Sequence, residues 1–243
     1  MSGLKLLEKR YKKNALWGML VEVVKSLPNF EKHLAFVRDE VLPRKPEIEA
    51  EELSRLMSIP LAEALVILDA LRKTPNEVEE ELAREAHEPS RELVALGGTF
   101  SRVHYGHLML LSIGFRCGRR VVIGVTTDEF ARSLGKKYAV PPFENRVEDL
   151  RRLLAERGWV DRCSIVPLND PYGIAVEEPR LEALITSPFT RFRGLEINEI
   201  RRVKGLKALE IIVCPLVVAW DGKPISSTRI ILGEIDERGR PLA

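Results

Sequence analysis

The chain has 243 residues, 45% hydrophobic and 30% charged, enough to bury a sizeable core in one large or two modest domains. Its formal net charge of +2 gives no bulk-charge case for a nucleic-acid or membrane partner. The charge is uneven: residues 1–90 carry 14 basic and 17 acidic side chains, whereas residues 91–243 carry 24 and 19, which suits the second part to anionic substrates.

The first ten residues, Met-Ser-Gly-Leu-Lys-Leu-Leu-Glu-Lys-Arg, have no apolar signal-peptide core, so a cytoplasmic location is expected. Residues 1–88 then repeat apolar positions at helical spacing: Leu16, Leu20 and Val24 form one stripe, and Leu34, Val37 and Val41 another. Pro28, Pro43 and Pro46 divide these stripes into separate helices. A pair follows, Glu49–Met57 and Leu61–Lys73, joined at Ser58-Ile59-Pro60, with Ala64, Leu65, Leu68 and Leu71 facing inward. The expectation is an all-α domain of four or five helices over residues 1–88.

The segment His87-Glu88-Pro89-Ser90 marks a boundary, since its proline ends the preceding helix. Beyond it come β-rich runs at Leu93–Leu96, Arg120–Val125, Ser164–Val166, Leu184–Thr186 and Leu209–Val213. Helical patterns at His104–Phe115, Arg146–Glu156 and Leu195–Val203 lie between them. This alternation predicts an α/β, Rossmann-like domain with an open parallel sheet over residues 89–243. The longest apolar run, Ile211–Trp220, is too short to span a bilayer and reads as one buried strand. Cys117, Cys163 and Cys214 are odd in number and lack a CxxC, so they read as small apolar residues, with no metal site expected. The absence of Gln and the density of charge fit a heat-adapted source.

The chemistry concentrates in two strings. The first β-run ends in Gly97-Gly98-Thr99-Phe100-Ser101-Arg102-Val103-His104-Tyr105-Gly106-His107, and a helical pattern follows at once. A Gly-Gly turn lets backbone approach a polyphosphate, and the next helix start offers unpaired N–H groups and a positive dipole end. At this spacing His104 and His107 lie near one helix face and can both reach a phosphate at the strand's C-terminal edge. The second string, Ile225-Ser226-Ser227-Thr228-Arg229-Ile230, places three hydroxyls and a guanidinium together as donors suited to β- and γ-phosphates.

The two strings resemble the G-T-F-D-x-x-H-x-G-H and I-S-S-T-x-I signatures of the HxGH nucleotidyltransferase superfamily, in the same order. Further strings narrow the resemblance: Gly124–Phe130, Lys136-Lys137, Pro142–Arg146, Asp170–Ala175, Glu196–Arg202 and Gly233–Asp236. Together they are similar to the archaeal and eukaryotic type of phosphopantetheine adenylyltransferase, over about Val94 to Asp236.

The resemblance implies ATP and 4′-phosphopantetheine as substrates and dephospho-coenzyme A and pyrophosphate as products. It implies that Gly98, Thr99, Phe100 and His107 approach the nucleotide, with His107 stabilising the transition state at the α-phosphate and His104 supporting the phosphates beside it. Lys136 falls where the family holds the attacking phosphate, with Lys137 an adjacent rival. Ser226, Ser227, Thr228 and Arg229 would embrace the departing pyrophosphate, and Glu199 would lie near the nucleotide. Ser101 stands where the family usually has Asp; a serine keeps a turn or capping hydrogen bond without the charge. Mg²⁺ is expected to accompany ATP, held by phosphates and water.

Two rival readings remain. Another HxGH transferase would use nicotinamide mononucleotide, FMN or a phosphoalcohol. However, Trp220-Asp221-Gly222-Lys223-Pro224 stands where the cytidylyl branch has R-T-x-G, and Gly-Gly-Thr-Phe differs from the G-R-F-Q-P-x-H of the nicotinamide branch. A regulatory or nucleic-acid-binding role would rest on Glu49–Lys73, which has the size of a helix-turn-helix, and on the basic Lys5, Lys9, Arg10, Lys12 and Lys13. Two helices packed in a bundle and a solvated basic face are the plainer explanations. The helical domain then serves as a partner, oligomerisation or lid element.

Overall fold

The computed structural model describes residues 12, 14–84 and 88–242. Lys5, Lys9, Arg10 and Lys13 of the basic stretch, and His87 of the expected boundary, lie outside them. Helix α1 spans Trp17–Lys25, α2 Phe30–Phe36 with a π-turn continuation at Val37–Val41, α3 Ala50–Met57 and α4 Leu61–Leu71. These pack around Val24, Phe30, Val37, Leu42, Leu53 and Ile67. The α3–α4 turn forms where expected, with Ser58 left-handed at φ 53° and the Ser54 hydroxyl donating to the Ile59 carbonyl at 2.6 Å.

Three details differ from the sequence reading. Leu16 lies outside the buried stripe, 64% exposed, and Trp17, Leu20, Val21 and Val24 carry the packing face of α1. Helix α4 stops at Leu71, because Arg72–Lys73 turn extended as β1 and pair in parallel with β7, Leu216–Val217. The apolar run Ile211–Trp220 is accordingly not one strand: it ends β6, Glu210–Val213, and then supplies β7 to a separate two-stranded sheet. Helix α4 buries Ala64, Val66, Ile67, Leu68 and Leu71, so it forms the centre of the helical core. The amine of Lys12 is paired with Asp69 and Glu77.

A further helix, α5 (Pro75–Ala83), starts with a capping box between Thr74 and Glu77 and with Pro75 in its first turn. It leaves the helical core and packs Val78 and Leu82 with Tyr105, Leu108 and Met109.

The main sheet has five parallel strands: β2 Arg91–Gly98, β3 Gly118–Thr126, β4 Cys163–Leu168, β5 Ala183–Thr186 and β6. Their order is β4-β3-β2-β5-β6, with Val94 in register with Val121 on one side and Ala183 on the other. Helices α6 (Tyr105–Cys117) and α8 (Phe143–Glu156) cover one face through Leu110, Leu111, Phe115, Val147, Leu150 and Leu154. Helix α9 (Arg191–Val203) and the 3-10 turn Gly173–Val176 cover the other through Ile197, Ala175 and Val176. Short α7 (Asp128–Ser133) follows β3, and α10 (Ser227–Ile231) lies near the end. The strand order reverses between β2 and β5, so the ligand crevice of this Rossmann-like architecture falls at their C-terminal ends. Among the described residues, no helix is long and apolar enough to cross a membrane.

Candidate active site

At that crevice β2 ends in Gly97-Gly98, and the chain turns through Thr99 and Phe100 into α6. Phe100 is buried to 1% exposure with φ 53°, a left-handed conformation a bulky side chain adopts only where packing over-determines it. Its ring sits 4.7 Å from that of His107, and His107 stacks on His104 at 3.9 Å between centroids. His104 is the N-cap of α6, its Nδ1 accepting from the Gly106 amide at 3.1 Å. A Cβ on Gly106 would meet the His104 ring at 2.9 Å, which is why glycine stands between the histidines.

Burial governs the titration of both rings. His107 is pushed down to about 4, first by loss of water and then by the Lys136 charge, while the Arg102 backbone pulls the other way. His104 is lowered well below the usual histidine value by burial and by His107. Both rings are therefore neutral at pH 7. The Nδ1 atom of His107 is buried with no well-aligned hydrogen-bond partner among the described residues.

The second string meets the first. Ser227 donates from its hydroxyl to the Arg102 carbonyl at 3.0 Å and accepts from the Arg102 amide at 3.3 Å. One buried serine thus fixes the loop after Gly98 to the loop before α10. Ser226 is the N-cap of α10, accepting from the Arg229 amide at 3.3 Å, and Thr228 is partly exposed beside it. Arg229 is fully engaged within its own segment. It donates to Asp221 at 2.7 Å, to Glu234 at 2.9 Å and to the Pro224 carbonyl at 3.1 Å.

Lys136 and Lys137 are separated by the fold. Both are exposed, but it is the Lys136 charge that acts on His107, and Lys136 lines a cavity of about 390 Å³ with Asp128, Arg132, Tyr138 and Val140. Glu199 faces solvent on α9 and accepts from Arg202 at 3.0 Å.

Two residues of this neighbourhood, Arg146 and Thr186, escaped the sequence reading, and a third, Ser101, was read without its partner. Arg146, fully buried at the start of α8, donates to the Thr99 carbonyl at 2.7 Å, to Asp128 at 2.8 Å, to the Pro141 carbonyl at 2.8 Å and to Thr126 at 3.3 Å. It ties the loop after Gly98 to the end of β3 and the start of α7. Its place on the apolar stripe with Val147, Leu150 and Leu154 was the available signal, since an arginine on a buried face must find partners. Ser101 is buried at 2% exposure and accepts from the Tyr138 hydroxyl at 3.1 Å; nothing in the spacing pairs these two. The Oγ1 atom of Thr186, at the C-terminal end of β5, is buried without a hydrogen-bond partner among the described residues, and sequence carried no sign of it.

Residues 95–233 match the cytidylyltransferase-like family. The phosphopantetheine adenylyltransferase of Methanopyrus kandleri is 51% identical over 144 residues, 59% of this chain and 90% of that protein. The chain belongs to the phosphopantetheine adenylyltransferase family. The adenylyltransferase of that name from Methanothermobacter thermautotrophicus is 45% identical over 60% of this chain and 87% of that protein. A solved Archaeoglobus fulgidus structure, described as a protein with unknown function, is 34% identical, covering 50% of this chain and 87% of that one, with a TM-score of 0.45. The family match begins at residue 95, so all of α1–α5 lies outside it. Within the matched residues the adenylyltransferase signatures fall on the two loops joined by Ser227.

Proposed function

We infer that the protein transfers the adenylyl group of ATP to 4′-phosphopantetheine, giving dephospho-coenzyme A and pyrophosphate. The observation that carries this reading is the Ser227–Arg102 clip, which brings both signature loops of an adenylyltransferase-family chain to one place at the strand ends. Those loops together offer backbone N–H groups, two neutral histidines and the Ser226 and Thr228 hydroxyls to a polyphosphate.

The acceptor's phosphate is largely a dianion at neutral pH, with a second pKa of about 6, so it needs no general base. One of its oxygens attacks the α-phosphorus in line; that O–P bond forms, the bond to the bridging oxygen breaks, and pyrophosphate leaves with the electron pair. Catalysis is then positioning plus stabilisation of charge spreading over the α-phosphate. His107 is assigned the hydrogen bond to that charge, with His104 buttressing its ring. Lys136 is assigned the attacking phosphate, and Gly98, Thr99 and Phe100 the approach of backbone to the nucleotide. Ser226, Thr228 and the start of α10 take the leaving pyrophosphate, with Arg229 joining them only by leaving its carboxylates. Mg²⁺ is proposed to arrive on ATP, carried by phosphate oxygens and water. A cytoplasmic location goes with this biosynthetic reading.

The test is pyrophosphate release from ATP or CTP with phosphopantetheine, nicotinamide mononucleotide, FMN or a phosphoalcohol as acceptor. Release only with ATP and phosphopantetheine is expected; turnover confined to any other pair would replace this assignment.

A further inference from the structure

We propose that residues 72–83, outside the family's matched segment, form a clamp that holds both phosphate-gripping loops and sets the position of the helix start carrying His104 and His107. The expected kinetic effect rests on the adenylyl-transfer reading; the structural effect does not.

The first hold is on α6. Tyr105 lies directly between His104 and the glycine that the His104 ring covers, and it is 9% exposed. Its hydroxyl donates to the Glu79 carboxylate of α5 at 2.5 Å, and the same carboxylate accepts two bonds from Arg157 at 3.2 Å. Arg238 lies over the Tyr105 ring at 4.8 Å, and the Tyr105 amide donates to the Glu237 carbonyl at 3.2 Å. Arg157, and after it Tyr105, hold Glu79 below the usual carboxylate range, so it stays an acceptor at every pH near neutrality. Glu81 adds a looser pair with Arg116 on the same two helices, at 3.7 Å.

The second hold is on the loop before α10. Strand β1 pairs with β7 at Arg72–Leu216 and Lys73–Val217, and the Val218 amide donates to the Lys73 carbonyl at 2.9 Å. The Val217 carbonyl in turn accepts from the Ile225 amide at 2.9 Å, one residue before Ser226. Val78 of α5, with no exposed surface, closes the clamp by packing in one cluster with Tyr105, Val217, Ile225 and Ile235. A displacement of about 1 Å at a positioned group can cost on the order of a hundredfold in rate, so a brace at this point reaches the chemistry without touching substrate.

Tyr105→Phe and Glu79→Gln keep ring packing and side-chain volume while removing the hydroxyl or the charge. In the full chain, assayed well below the melting temperature, each should lower kcat about tenfold with KM for ATP within twofold. Amide hydrogen exchange over residues 104–108 and 225–228 should accelerate at least tenfold in both, with strand residues 121–125 unchanged. The double variant should lose no more than the worse single, because one contact is shared. Glu52→Gln, which removes an exposed pair with Lys45, serves as a control with parent-like turnover. Parent-like kcat and exchange in both single variants would overturn the clamp, as would exchange rising evenly across the sheet along with a fall in melting temperature. If the full chain transfers no adenylyl group at all, the functional reading fails and the exchange pattern alone still decides the clamp.

Discussion

The two loops that meet at Ser227 are built on opposite principles. The loop from Gly98 to His107 is held in place by packing: Phe100 is left-handed and buried, the histidines are stacked, and both rings are kept neutral by loss of water. The loop from Asp221 to Glu234 is charged and self-neutralised, with Arg229 already spent on two carboxylates. Donors that are in place before reaction act at no cost of reorganisation, whereas a guanidinium that must first leave Asp221 and Glu234 loses most of what it gains. The histidine loop is therefore set in advance by packing, whereas the serine loop is held by ion pairs of its own.

Substitution at each loop puts that contrast to the test. His107→Ala should cut turnover by about 10²–10³, on the scale of one lost oxyanion donor, with melting behaviour close to the parent's. Wild-type-like kinetics in that variant would remove the histidine from the mechanism.

The pH dependence of stability should show the same asymmetry. His107 is lowered from the usual 6.5 to about 4, so between those values the unfolded chain binds the proton and the folded chain resists it. Its contribution is fully present above about pH 6.5 and is lost as pH falls toward 4, on the order of 3 kcal/mol for a shift of that size. Thermal melts of the unliganded protein across this window should show the loss, and His107→Ala should flatten it. An unchanged slope in the variant would mean that the ring is wetter than the fold implies.

Arg229→Ala should act mainly on stability, about 2 kcal/mol from two carboxylates and a carbonyl left without their donor, with kcat reduced less than tenfold. A hundredfold loss of kcat at unchanged melting temperature would instead show that Arg229 abandons its carboxylates for phosphate, and the contrast between the loops would collapse. The smallest expected effect separates the adjacent lysines. Lys136→Ala should raise KM for the acceptor about tenfold, the scale of one charge-assisted hydrogen bond, while Lys137→Ala stays within twofold. Equal effects would mean that the loop presents both amines.

Much of the α/β half was legible because it is encoded locally. All five strands and the three helices between them fall where periodicity placed them, since alternating β-branched runs and helical stripes need no knowledge of partners. The Gly97–His107 string was readable for the same reason: the glycines, the N-cap histidine and the helix behind it are consecutive. What escaped was non-local. Arg146 finds Thr99, Thr126 and Asp128 only because β2, β3 and α8 converge. The run Ile211–Trp220 reads as a single strand until β1, more than 130 residues earlier, captures Leu216 and Val217.

The sequence by itself determined which residues can form helices and strands, and which strings resemble the family's signatures, because those properties follow from neighbours along the chain. Only the tertiary structure decided which lysine's charge acts on His107, that Arg229 is already paired, and that helix α5 crosses from the helical half to brace Tyr105. Each of those depends on burial and on charges brought close from distant positions, and desolvation and Coulomb energies have no value until the chain has closed around them.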